Sequence, residues 1–354
     1  MNTSKSFLEE RLAQGTVICA EGYIFELERR GYLSAGEFVP EVVLESPEAV
    51  KNLHREFVRA GSDVVEALTY YAHREKLKLV GKEDILEQLQ KQAIRLAQEV
   101  ACEFPEENPL VAGNISNTNI WDSSDVKSSE KIVRPMFEEQ VRWAKEAGVD
   151  YIVAETFCTA GEAQVACDVI SQEKIPVVLT IAPYNDVVTR DNVSYEKCFE
   201  LCQKAGALVL GLNCARGPAT MLPILQRLRS EVSCYLAALP VVYRTSLVEP
   251  IFQNLKDKGC SCIPEGRPYP TALEPFVCNR YEVSEFTKAC MALDIRYLGL
   301  CCGAGPYHIR SMAETLGKTT RASRFTPDLS KHYVYGKKEN LKPFNKDIKD
   351  TFLN

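Results

Sequence analysis

Apolar and polar positions along the chain follow two alternating rhythms. Short, nearly continuous apolar runs recur eight times: "TVICAEGYIF" (16–25), "SDVVEALTYY" (62–71), "PLVAGNIS" (109–116), "DYIVAETF" (150–157), "PVVLTIAPY" (176–184), "ALVLGLNCA" (207–215), "CYLAALPVVY" (234–243) and "RYLGLCCG" (296–303). Hydrophobicity that is continuous rather than alternating is expected of parallel strands buried on both faces. Between the runs lie longer stretches whose apolar positions are three and four apart. In "SPEAVKNLHREFVRAG" (46–61) the residues Val50, Leu53, Phe57 and Val58 share one face; Ser46 can cap the start, Pro47 takes the first helical position, and Gly61 closes the stretch. The same rhythm predicts helices over 82–101, 136–149, 161–173, 194–207, 217–232, 283–295 and 306–318.

Eight strands, each followed by a helix or a long loop, predict an α/β fold of the (β/α)8 TIM barrel type rather than an open doubly wound sheet. No G-x-G-x-x-G turn follows the first run, which also counts against a dinucleotide fold. The barrel is expected to occupy 1–318. Residues 319–354 are polar with scattered aromatics and form a C-terminal extension, an arm that packs on the barrel or on a second copy in a homo-oligomer. Two stretches exceed minimal connections: 114–131, rich in Asn and Ser, and 244–282, with Pro and Gly throughout. Both follow a strand, on the side where a barrel carries its site.

Composition narrows the function classes. The 354 residues are 45% hydrophobic and 25% charged, as in ordinary globular proteins. A net charge of −6 and a pI near 5.5 give no basic footprint for nucleic acid or an anionic membrane. No apolar run approaches the roughly 20 residues of a membrane span, and "MNTSKSFLEERLAQG" lacks the apolar core of a secretory signal, so a cytoplasmic location is expected. Fourteen cysteines form no short, even framework. Most are expected to be small buried hydrophobes, among them Cys102, Cys167, Cys198, Cys202 and Cys290. Cys260 and Cys262 in "KGCSCIPEG" lack a second pair at zinc-ribbon distance, and a structural role in a loop is expected. None of the four histidines, His54, His73, His308 and His332, shows metal spacing.

On a barrel, polar residues at the C-terminal ends of strands are the informative ones. Here those ends carry Glu21, Thr69-Tyr70-Tyr71, Asn114 and Asn117, Glu155-Thr156, Asn213-Cys214, Tyr243 and Cys301-Cys302. Three thiols thus fall on just two ends, Cys214 after the sixth run and Cys301-Cys302 after the eighth. Gly303 and the turn "GAGP" let the backbone leave strand geometry, so that both neighbours can swing toward one point. Three sulfur ligands select Zn2+, and three protein ligands rather than four leave one position open, as in catalytic zinc sites. Such a centre binds an incoming thiol and lowers its pKa from about 8.5, giving a thiolate at neutral pH. Its natural partner is an electrophilic methyl group on a cationic nitrogen or sulfur. Ring faces attract such onium cations, and Tyr70, Tyr71, Tyr23 and Phe38 all lie near strand ends; Glu155 can hold the ammonium of an amino-acid thiol. Two other classes stand beside this one: a zinc-stabilised barrel that binds a ligand without turnover, and a corrinoid-dependent methyl carrier, for which no separate cobalamin-binding segment is visible.

"GLNC" (211–214), "LCCG" (300–303) and "PYHIR" (306–310) resemble the zinc-dependent homocysteine S-methyltransferases, above all the betaine-using members. "LERRGYLSAGEFVPEVVLESPEAVKNLHREFVRAGSDVVEALTYYAHREKL" (27–77) and "IVAETF" (152–157) extend the similarity over about residues 7–325. The resemblance implies zinc on Cys214, Cys301 and Cys302, with homocysteine as thiolate in the open site and its amine held partly by Glu155. It implies betaine, or S-methylmethionine behind it, in an aromatic pocket where Tyr71 and Phe38 correspond to family aromatics, and methionine as product. Asn213 matches the Asn before the first zinc cysteine. There are departures. Where the family has Asp in a D-G-G type run, this chain has Ala20-Glu21-Gly22, so that Glu21 would supply the amine's carboxylate from the next position. Leu300 replaces the family's Gly before the cysteine pair and is expected to crowd the metal. Thr156 stands where the betaine enzyme has a tyrosine, and Arg216 is placed to meet a substrate carboxylate.

Overall fold

Apolar runs buried on both faces have nowhere to go but the centre, and here they close on themselves. The structure, a computed structural model, describes residues 6–352; residues 1–5 of the N-terminal stretch and 353–354 of the expected extension lie outside the described residues. Among the described residues, eight parallel strands form a closed barrel in sequence order. They are β1 (Val17–Ala20), β2 (Val64–Glu66), β3 (Leu110–Ser116), β4 (Tyr151–Phe157), β5 (Val177–Ile181), β6 (Ala207–Asn213), β7 (Tyr235–Leu239) and β8 (Tyr297–Leu300). β1 pairs with β8 from Val17↔Tyr297 to Ala20↔Leu300, which seals the ring.

Several strands are shorter than the apolar runs. Beyond β1 the residues "YIF" continue not as strand but as the helix Tyr23–Arg29, and β7 stops before Pro240, which has no N–H for the ladder. β2 ends at Glu66, so Thr69-Tyr70-Tyr71 lie in the loop after it. The helix expected over 136–149 runs instead over Val126–Ala147, opened by the Asp125 side chain accepting from the Ser128 amide at 3.2 Å. Its polar first turns hide the apolar face that Val133, Met136 and Phe137 then bury. The other expected helices occur within a few residues of their predicted bounds.

Strand side chains alternate across the barrel wall. The inward set begins as an apolar floor of Val17, Cys19, Val64, Leu110, Tyr151 and Tyr297. The helix Phe7–Gln14 adds Leu8 and Leu12 to that floor, one turn apart and both fully buried, and plugs the barrel from below. One layer up, inward positions turn polar with Glu66, Asn114, Glu155 and Asn213. Ligand access is therefore confined to the C-terminal mouth.

The cysteines divide as expected with two exceptions. Cys167, Cys198, Cys202 and Cys290 are buried, but Cys102, in the last position of its helix, is exposed. Cys260 and Cys262 are joined as a disulfide in the exposed loop. No helix among the described residues is long and apolar enough to cross a membrane.

His308 is a core histidine with both ring nitrogens engaged. Its Nδ1 accepts from the Gly305 amide at 3.1 Å and its Nε2 donates to the Cys278 carbonyl at 3.0 Å. That pattern requires the neutral ring, and burial pushes its pKa down to about 4. His54 and His73 are also buried, with pKa values lowered to about 3 and about 4. A folded-state pKa below the unfolded value of about 6.5 stabilises the fold fully above pH 6.5, and this stabilisation is lost as pH falls toward 4. For His308 the shift corresponds to about 3 kcal/mol. Denaturant titration at pH 7 and pH 4.5 should show a marked loss of stability at the lower pH, and His308→Gln should flatten that dependence.

Candidate metal centre and substrate pocket

The three sulfurs meet at the barrel mouth. Cys214 Sγ lies 3.7 Å from Cys302 Sγ, and Cys301 Sγ lies 3.8 Å from Cys302 Sγ. The three ligand atoms fall within 4.8 Å of one another, a grouping that can hold a metal ion. Local backbone explains how. Cys214 follows β6 with φ 56° and Ala215 with φ 53°, which turns the thiol back over the barrel axis. Cys301 continues the inward set of β8, and Cys302 reaches the same point because Gly303, at φ 82°, bends the chain beneath it. A Cβ at Gly303 would lie 2.3 Å from Tyr243 Oη, so only glycine fits. Gly22 plays the matching part on β1, where a Cβ would lie 2.0 Å from the Ala304 carbonyl oxygen.

Electrostatics at this point are one-sided. Hydrogen bonds donated by Cys301 and Cys302 hold the Cys214 thiol well below its ordinary range, while the thiols of Cys301 and Cys302 are pushed up by the Cys214 charge. Beside the cluster stand three buried glutamates. Asn114 Nδ2 donates to Glu66 Oε1 at 2.5 Å and to Glu155 Oε1 at 2.7 Å. Asn213 Nδ2 donates to Glu155 Oε2 at 2.9 Å and to Glu21 Oε2 at 3.5 Å, and its Oδ1 accepts from the Thr156 amide at 3.0 Å. Burial pushes Glu66 up to about 7, and burial together with neighbouring carboxylates raises Glu21 and Glu155 well above the usual range. In this layer the buried acceptors Glu21 Oε1 and Asn114 Oδ1 have no partner among the described residues. The layer has more acceptors than Asn114 and Asn213 can supply with donors, and no positive charge of its own; an ammonium group would supply both donors and charge.

Of the sequence-predicted residues, Glu21, Phe38, Tyr70, Tyr71, Glu155, Cys214, Cys301 and Cys302 line one cavity of about 260 Å³, sized for amino-acid-like ligands. Asn213, fully buried, supports the carboxylates from beneath. Phe38 stacks on Phe25 with centroids 5.7 Å apart. Tyr71 is one of two adjacent tyrosines at the cavity wall. Its ring lies tilted at 35° to that of Tyr70 with centroids 4.1 Å apart, and Lys76 Nζ sits over it, 3.9 Å from its centroid.

Two expectations need correction. Leu300 does not crowd the sulfurs: strand alternation sends its side chain outward from the barrel, where it is fully buried in the shell beneath the helices, and it is not among the cavity residues. Arg216 is not directed at a substrate either, since it is buried with Nη1 on Asp186 at 2.8 Å and Nε donating to the Pro183 carbonyl at 2.6 Å. Sequence reasoning passed over Glu66, Lys76, Cys158, Arg190, Tyr184 and Tyr269, all of which line the cavity. Glu66 left a signal, an acid inside the apolar run "VVEAL". Lys76 sits in the short helix Arg74–Leu79 and the others in loops, connections whose folding over the mouth no local pattern announces.

Fold and site define a (β/α)8 barrel with a thiol cluster and an acidic layer at its C-terminal mouth. The chain belongs to the homocysteine S-methyltransferase family, whose family model matches residues 17–316. It is 35% identical over 326 residues to betaine–homocysteine S-methyltransferase 1 of Xenopus laevis, covering 88% of this chain and 76% of that one. Its identity to S-methylmethionine–homocysteine S-methyltransferase of Pongo abelii is 32% over 321 residues, covering 88% and 82%. In fold it is similar to the metallated form of the homocysteine methyltransferase MmuM from Escherichia coli, with TM-score 0.68, 18% identity and coverage of 87% and 99%.

Gly303→Ala tests the backbone geometry. With φ 82° and the Tyr243 ring in the way, the substitution should displace Cys302, cost about 1–3 kcal/mol of stability, and weaken metal retention at least tenfold in a chelator competition. Gly317→Ala, where φ is 79° and nothing lies within 4 Å, should leave metal retention unchanged.

Proposed function

We propose that this chain is a zinc-dependent homocysteine S-methyltransferase in which Cys214, Cys301 and Cys302 hold the metal, with betaine as the first-choice methyl donor. The observation that carries the reading is the sulfur spacing. Tetrahedral zinc with metal–sulfur bonds of about 2.3 Å sets its sulfurs about 3.8 Å apart, and the spacings here are 3.7 and 3.8 Å. A soft all-sulfur set favours zinc over magnesium or calcium, and three protein ligands leave a corner for a substrate thiol. When bound, zinc supplies the positive charge that keeps such a thiol deprotonated at neutral pH.

The chain's own residues bind and orient. Glu21 Oε1 and Asn114 Oδ1, two buried acceptors without partners among the described residues, take N–H groups of the homocysteine amine, and Glu155 balances its charge. Asn213, bonded to Glu155 and to the Thr156 amide, fixes that carboxylate. Tyr70 and Phe38 line the cavity that receives the onium head. In transfer from betaine, the homocysteine sulfur forms a bond to a methyl carbon while the carbon–nitrogen bond breaks. Its electrons remain on nitrogen, giving dimethylglycine and methionine. A sulfonium donor such as S-methylmethionine is the second reading, supported by the similarity to a relative named for it. The same proposal places the enzyme in the cytoplasm, consistent with its many free thiols. It also treats 319–354 as an extension to a barrel that ends near 318, with a homo-oligomer formed through that arm as the corresponding assembly.

Cys301→Ala should lose bound zinc and methionine formation together. A variant that retains full activity without metal overturns the reading. Glu21→Gln should raise the homocysteine KM about tenfold, roughly 1.4 kcal/mol, with the donor KM unchanged. An unaltered homocysteine KM removes Glu21 from amine recognition.

A further inference from the structure

The cavity is electrically divided. Its inner half holds the thiols and the three glutamates, whereas its outer half contains two cations, Lys76 and Arg190. Neither makes an ion pair among the described residues: Lys76 feels Glu37 only from beyond contact distance, and Arg190 is exposed at the rim. Elsewhere the described arginines and lysines are mostly paired; Arg216, the cation nearest the cluster in sequence, is already committed to Asp186. Lys76 is also partly desolvated, which holds its ammonium below the usual lysine range. An unpaired, half-buried cation aimed along an aromatic ring is an unusual state, since burial without a counter-ion is costly. Its position on the Tyr71 ring, 3.9 Å from the centroid, stands beside the lining expected to hold an onium head.

This inference rests on the functional reading above and deepens it. We infer that Lys76 is a specificity-determining residue that pairs with an anionic arm of the methyl donor, so that the pocket selects onium compounds carrying a carboxylate over neutral ones. The donor's cationic head then lies toward the acidic half of the cavity and its carboxylate toward Lys76, with Arg190 adding to the field at the rim. Such an arrangement fixes the direction in which the donor enters, head first toward the thiols. Lys76 binds the donor and takes no part in bond making, so its removal acts on KM rather than kcat.

The test uses zinc-loaded full-length protein and a matched pair of amines. Dimethylglycine and 2-dimethylaminoethanol share the same head, and only the first has a carboxylate. By calorimetry the unaltered protein should bind dimethylglycine at least tenfold more tightly. Lys76→Met, which keeps the length of the side chain over Tyr71, should abolish that preference while leaving 2-dimethylaminoethanol affinity unchanged, and Lys76→Arg should retain it. In turnover, Lys76→Met should raise the betaine KM about tenfold with kcat and the homocysteine KM within about twofold. The inference is overturned by an unaltered protein without preference, by a preference that survives Lys76→Met, or by equal weakening of both amines. The binding arm needs no turnover, so absence of methyl transfer from every donor would sink the functional reading while still leaving Lys76 decided.

Discussion

Uncompensated negative charge at the barrel mouth is the constraint on which the rest of this structure turns. Three thiols and three glutamates line one cavity, and among the described residues no buried lysine or arginine pairs with them. Burial pushes up the carboxyls of Glu21, Glu66 and Glu155, and neighbouring carboxylates add to the rise at Glu21 and Glu155. A metal cation and a ligand ammonium relieve that imbalance. The site is thus built around charges that its ligands bring.

The price of that arrangement appears in the backbone. Phe38, Tyr71, Thr156, Cys214 and Ala215 all adopt left-handed φ, between 53° and 62°, although none is glycine. Such conformations persist only where surrounding structure over-determines them. Here the supports are visible: Asn213 Oδ1 accepts the Thr156 amide, the Leu239 carbonyl accepts the Cys214 amide at 2.9 Å, and Ser116 Oγ accepts the Tyr71 amide at 3.2 Å. Thr156, Cys214 and Tyr71 are each braced by a neighbouring strand end. The barrel's closure, rather than any local preference, is what holds the site's side chains in place.

Much of this was legible beforehand because strand-end chemistry in a barrel converges by topology. Once eight buried runs are recognised, residues just past their ends must share one mouth, and Cys214, Cys301 and Cys302 could be brought together without coordinates. What escaped was carried by loops and by alternation. Leu300 was expected near the metal because it adjoins Cys301 in sequence, yet adjacent strand residues face opposite sides. Lys76 and Arg190 went unnoticed because they belong to connections whose path over the mouth depends on packing at long range.

The sequence by itself determined the barrel, the thiol set and the acidic partners Glu21 and Glu155, since hydrophobic period and strand order are local properties that fix which residues meet. Only the tertiary structure decided which acceptors stay unpartnered, that Glu66 joins the acidic layer through Asn114, and that Lys76 lies over the Tyr71 ring. Those outcomes depend on distances of a few ångströms between residues far apart along the chain, and hydrogen bonding and stacking at that range are set by how the whole barrel closes.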